Sequence, residues 1–325
     1  MLKKLSKVGE YTHTFIILGI ITLMYITPAI DFNYSISIPE IASFGKWISG
    51  TVSGFSVMPF INLILIVSLA VYINYLGLQS DILPRRSYLT ATVFVLLMIF
   101  SATSHMLATS LVLCLLLTYS LGNMLNMFGR HNPSIQVLNA SMAISVSAMI
   151  MPQAVIFVIF LLLGFLTYSI NTWREWVISL IGLVMPWLYL LFAWFWNDNL
   201  DSLWIMINEF TKGIIPIYSM PSVWQIIVIG ILLVIFTISN LYFINDASDK
   251  IISIRKRIWI TYQFGFISLI ALLASGDMYY LWLPVVFIPN TIMITYYIHD
   301  HKKSRIFDIL FILFLVSAFY TRIAL

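Results

Sequence analysis

Asp31, Lys46, His105, Asp277 and Arg322 are the residues in this chain whose types and placement could do chemistry. Each lies at the end of a long apolar run or in the segment that follows one. Asp31, just after the first run, is suited to act as a general base on an acceptor hydroxyl. Lys46, His105 and Arg322 are suited to bind substrate by neutralising a lipid phosphate as it leaves. Asp277 adds a second carboxylate for contacting substrate. Glu40, Gln153, Asp198, Asp201, Glu209, Lys212, Tyr279 and Tyr280 complete a ring of polar residues at the same level. If the apolar runs bundle, the ring could enclose one cavity. The plainer reading is that polar side chains collect wherever a membrane helix meets water, whatever the protein does.

The elements that must position this ring are set by composition. Of the 325 residues, 61% are hydrophobic and 9% are charged. A soluble domain carries about 25% charged residues, so this chain lacks the polar surface to cover a core in water. The expected fold class is all-α, a polytopic transmembrane helix bundle forming a single integral membrane domain over 1–325. Eleven apolar spans are predicted, at 13–30, 57–77, 88–104, 106–127, 137–151, 153–170, 176–196, 222–245, 258–275, 281–298 and 306–321. Each is read as a helix, because an open strand leaves its backbone unpaired in lipid. Most approach the ~20 residues needed to cross, while 88–104, 137–151 and 153–170 are short. Met1-Leu2-Lys3-Lys4 before the first span resembles a signal peptide, with Thr27-Pro28-Ala29 as a weak cleavage site. Ten more spans follow it, so it is read as an uncleaved anchor.

Charge gives the orientation. The turn Leu83-Pro84-Arg85-Arg86-Ser87 joins two apolar runs, and its paired arginines place it on the cytoplasmic side. With the N-terminus inside and the C-terminus outside, 14 of the 17 Lys and Arg fall inside, leaving Lys46, Lys212 and Arg322 outside. The net charge of +4 therefore reflects topology, and no basic-aromatic patch suggests nucleic acid. Two outer segments each predict a short interfacial helix. In 39–50, Ile41, Phe44 and Ile48 share a face and Trp47 suits the headgroup level. In the second, Leu203, Ile207 and Phe210 share one.

Standard motifs for phosphate cradling, metalloprotease zinc, the serine nucleophile or dithiol chemistry are absent. No cofactor or metal is expected. His299-Asp300-His301 offers too few ligands for a complete metal site, and Lys302 and Lys303 beside it repel cations. Span interiors are poor in ionisable residues, which counts against ion-coupled transport. Cys114, the one cysteine, is read as a core residue. Ser141, Ser145 and Ala148 share a face of a small-residue span, read as close helix packing, with a polar cavity wall as the alternative. Tyr119, Asn123 and Asn126 predict interhelical hydrogen bonds.

Leu83-Pro84-Arg85-Arg86-Ser87-Tyr88-Leu89, Trp173-Arg174-Glu175-Trp176 and Leu180-Ile181-Gly182-Leu183-Val184-Met185-Pro186-Trp187 together resemble a domain-of-unknown-function family of multi-pass inner-membrane proteins from Bacteroidota. The resemblance implies the inner membrane of a Gram-negative cell with outer loops in the periplasm. It carries over no catalytic residue. The architecture also resembles membrane glycosyltransferases that use polyprenyl-phosphate sugars. There the likeness lies in an outer loop with an interfacial helix between the first two spans, and in tight outer hairpins after it. That family places a catalytic acid in the first outer loop, where Asp31 stands. A second acidic motif in a later outer loop is not identifiable here.

The leading expectation is a transferase moving a sugar or glycan from a polyprenyl-phosphate carrier at an outward-facing site. Its partners would be membrane lipid and that lipid-linked substrate. The alternatives are a non-catalytic membrane subunit bound to partners in a cell-envelope complex, and a lipid or polyprenol flippase.

Overall fold

In a computed structural model of the chain, residues 19, 58–83, 88–101, 107–130, 132–170, 172–196, 198, 223–275, 279–300 and 305–324 are described. All regular structure among them is helical. The helices are α1 (Met58–Gln79), α2 (Leu89–Ser101), α3 (Leu107–Leu125), α4 (Ser134–Ile150), α5 (Phe157–Tyr168), α6 (Trp173–Trp196), α7 (Val223–Ala247), α8 (Ile252–Ala274), α9 (Tyr279–Asp300) and α10 (Arg305–Ala324). Each occupies one of the predicted apolar runs. Apart from Gly19, the first run, 13–30, lies outside the described residues, as do both interfacial helices.

Among the described residues, five segments are long and apolar enough to cross a membrane: Ile61–Gln79, Trp173–Trp196, Ile226–Ala247, Ile252–Ala274 and Leu281–Asp300. The matching stretches of the other apolar helices, such as Thr109–Leu125 and Phe307–Ala318, run 10–17 residues. Their outward side chains are those of a protein solvated by lipid. Leu180, Val184, Leu188 and Phe195 of α6 are all exposed, a patch water would not tolerate. The apolar helices are those of a multi-pass integral membrane protein.

Two helices mark the extremes of burial. Residues 281–298 of α9 are buried throughout by the rest of the protein. It touches α1, α2, α3, α7 and α8. Trp282 at its start stacks on Phe157 of α5, with centroids 6.2 Å apart, and Phe157 meets Phe264 of α8 at 5.0 Å. Pro284 and Pro289 lie inside α9. A bundle interior accepts such breaks because neighbouring groups satisfy the freed backbone. Asn290 adds an anchor. Its amide donates to the Val286 carbonyl at 2.8 Å, and its Oδ1 accepts from Asn240 of α7 at 3.0 Å.

By contrast, 17% of α6 is buried, and α4 is the helix it chiefly rests on. Small residues make that contact close. A Cβ added at Gly182 would overlap Ser141 Oγ and stand 3.1 Å from the Leu138 carbonyl oxygen. One turn on, Ser145 donates to the Leu183 carbonyl at 2.6 Å. The serine face of span five thus packs against α6, as the bland reading expected. The polar stripe on α3 behaves differently from its expectation. Asn123 donates to the Tyr119 carbonyl of its own helix at 2.9 Å, so its amide closes a local bond.

Two boundaries also differ. The predicted span 153–170 opens with a 3₁₀ turn, Pro152–Ile156, before α5 begins. Met151 is extended and Pro152 has no N–H to give, so the chain turns tightly before entering a regular helix. α8 begins at Ile252, six residues before its predicted span. Arg255, Lys256 and Arg257 continue the helix; they end only its apolar stretch.

Candidate functional site

Of the rim residues picked from sequence, Asp31, Lys46, His105 and Asp277 lie outside the described residues. Arg322 is in the last turn of α10, with its side chain outside them. Gln153 is buried in the 3₁₀ turn, and Asp198 sits just beyond α6 with φ 51°. Among the described residues, chemistry-bearing groups are assembled at the end of the bundle where α1, α3, α5, α7 and α9 finish and α8 begins.

The first assembly comes from two ladders at i,i+4 spacing. Tyr242, Asp246 and Lys250 follow one another along the end of α7 and the turn after it. Tyr296 and Asp300 do the same on α9. Such spacing stacks side chains on one helix face. The ladders meet in two crossed bonds. Tyr242 donates to Asp300 at 2.5 Å, and Tyr296 donates to Asp246. Lys250 completes the group, with its ammonium 3.0 Å from Asp246 and 5.7 Å from the Tyr296 ring centroid. The Lys250 ammonium is held above the usual lysine range, first by its hydrogen bond to Asp246 and then by that to Tyr296. Both carboxylates are thus occupied as acceptors.

The second assembly joins segments far apart in sequence. Arg257, in the second turn of α8, donates from Nη1 to the Ser80 carbonyl at 3.0 Å. The same nitrogen stands 3.5 Å from Asp81. Asp81 has φ 52°, so the chain leaves α1 through a left-handed residue that the arginine braces. Beside it, Gln263 donates to Thr167 Oγ1 at 2.8 Å, tying α8 to the end of α5. Tyr168 lies 5.9 Å from Phe128, and Lys256 sits 5.7 Å over that Phe128 ring. Arg257 Nε, the Tyr168 hydroxyl and Gln263 Oε1 are buried without a hydrogen-bond partner. Leaving such groups unpaired is costly, and a cation beside an unpaired hydroxyl suits an anion.

Among the described residues no group of three His, Cys, Asp or Glu could hold a metal ion. Asp300, of the His-Asp-His sequence, is engaged by Tyr242.

Sequence reasoning took Lys250, Lys256 and Arg257 for orientation anchors alone. The ladder spacing of 242, 246 and 250 against 296 and 300 was a readable signal. The pairing of Arg257 with a turn 176 residues earlier was not.

Comparison of the chain with protein-family models finds no match. No curated protein matches it, and no solved structure does.

Proposed function

We propose that the chain spans the bacterial inner membrane eleven times, N-terminus inside and C-terminus outside, and transfers a sugar or glycan from a polyprenyl-phosphate carrier at its outward face. Asp31 is the general base. His105, Lys46, Arg322 and Asp277 hold the substrate. The observation that carries this reading is the commitment of four carboxylates at the other end. Asp81 faces Arg257, Glu175 accepts from Thr172, Asp246 accepts from Tyr296 and Asp300 accepts from Tyr242. A carboxylate already bound in this way is a poor general base. Charged residues of the described helices also keep to the first or last two turns, which leaves acid–base chemistry to the rim.

The test is transfer of radiolabelled hexose from a polyprenyl-phosphate donor by the protein in membranes, wild type against Asp31→Asn. Loss of transfer at equal expression supports the reading, and full activity in the variant refutes it. A second reading, a non-catalytic subunit of an envelope complex, is favoured by α6, whose aromatic outer face with Trp173, Phe192 and Trp196 is open to a partner helix. It predicts stable co-purification and tolerance of Asp31→Asn. The flippase reading is the weaker one, since residues 281–298 of α9 are buried throughout among packed side chains.

A further inference from the structure

We propose that Arg257, Lys256 and Tyr168 form a phosphate site, filled by the headgroup of an anionic phospholipid, where α3, α5 and α8 meet at the ionic end of the bundle. This does not depend on the transfer reaction and lies at the opposite end from it.

Six observations carry the proposal. Arg257 is 18% exposed at its side chain, so its charge is largely out of water and its pairing matters. Its one close carboxylate among the described residues, Asp81, stands 3.5 Å from Nη1. The Nε side of the guanidinium, half of the fork that grips phosphate, is buried and unpaired. The Tyr168 hydroxyl is likewise buried and unpaired. Lys256 sits over Phe128, whose ring also meets Tyr168, so a second cation stands on the same aromatic cluster. Gln263 Oε1, also unpaired, is an acceptor for a headgroup hydroxyl.

The charge balance agrees. Arg255, Lys256 and Arg257 crowd the start of α8, whose first turn has no acidic residue. The helix dipole adds to their positive potential there instead of offsetting it. A phosphate would supply the missing counter-charge. A lipid is the fitting source because the apolar stretch of α8 begins directly after Arg257, and Trp259, two residues past it, is exposed and of a type suited to the headgroup level. Basic groups between helix ends at this level are suited to phospholipid headgroups.

The competing account is that Arg257 only braces the turn at Ser80, and that water meets the unpaired atoms. Tyr168→Phe separates the two, because it removes one oxygen and leaves the brace untouched. The protein in neutral detergent is titrated with phosphatidylglycerol, and bound lipid is counted by native mass spectrometry. Phosphatidylcholine and inorganic phosphate are run as parallel arms. Wild type is expected to retain phosphatidylglycerol over phosphatidylcholine. Tyr168→Phe and Lys256→Gln should each weaken that retention about tenfold, the worth of one charge-assisted hydrogen bond. Phosphatidylglycerol that millimolar phosphate does not displace upholds the site as a lipid site. Displacement by phosphate upholds the phosphate chemistry and assigns the source to the free ion. Equal retention of the two lipids by wild type overturns the proposal. So does wild-type retention by Tyr168→Phe, above all with a raised melting midpoint, which would mark the hydroxyl as merely unsatisfied.

Discussion

Gly182→Ala is the sharpest test of how α6 is held. The new methyl carbon would collide with Ser141 Oγ and stand 3.1 Å from both Ser141 Cβ and the Leu138 carbonyl oxygen. Ser141 can rotate away, but it then gives up its own bond to the Leu138 carbonyl, now 2.9 Å long. The carbonyl is backbone and cannot rotate, so the helices must part by a few tenths of an ångström. That strains the Ser145 bond to Leu183, 2.6 Å in the native packing. Overpacking of this kind costs about 1–3 kcal/mol, and a weakened interhelical bond adds roughly 0.6 kcal/mol. The expected result is a destabilisation of about 2–3 kcal/mol by detergent unfolding. In a Ser141→Ala background the same change should cost about 1 kcal/mol less, a coupling that a double-mutant cycle reads directly. Wild-type stability in Gly182→Ala, or strict additivity in the cycle, would refute the close-contact argument.

Asn240→Leu removes the bond to Asn290 and should destabilise by roughly 0.6–1.7 kcal/mol, with Asn290→Leu adding less than its own separate effect; unfolding of the two single variants and the pair checks this. The pH dependence of the Lys250 pair follows from its sign. The folded pKa lies above the unfolded value of about 10.4, so its contribution is complete below that pH and fades only as pH climbs through the folded value. Melting midpoints of wild type and Lys250→Met should therefore keep a constant gap from pH 7 to pH 9. A gap that closes in that range would show that the ammonium is not held as the geometry implies.

Helix positions were legible because lipid imposes one rule on every apolar run, whatever its neighbours. The ends were less legible. Hydropathy stops at Arg257, but the helix starts at Ile252, because arginine and lysine are good helix formers and end only the apolar stretch. Which helix lies inside was hidden for a related reason. In water a buried helix stands out as the most apolar, whereas in lipid the enclosed one can carry Asn290, Thr291 and Thr295 while the peripheral α6 presents Leu, Phe and Trp. The Gly182 contact showed in sequence as one side only, the small residues Ser141, Ser145 and Ala148. The candidate site was legible in part. The tyrosine–aspartate ladders follow helical spacing, but the meeting of Asp81, Tyr168 and Arg257 depends on how three distant helix ends converge.

The enclosure of α9 has a consequence for how the protein is made. A helix that ends in contact with α1, α2, α3, α7 and α8 is synthesised after all five. With two prolines and Asn290 in its length, it partitions into bare lipid less readily than α7, whose residues 226–236 are Ile, Val, Leu and Phe broken only by Gly230. Its passage into the bilayer is thus tied to a cradle already waiting, and assembly of the bundle doubles as insertion of its axis. Substitutions that loosen the cradle will then appear first in the cell as missing protein, before any loss of activity can be measured.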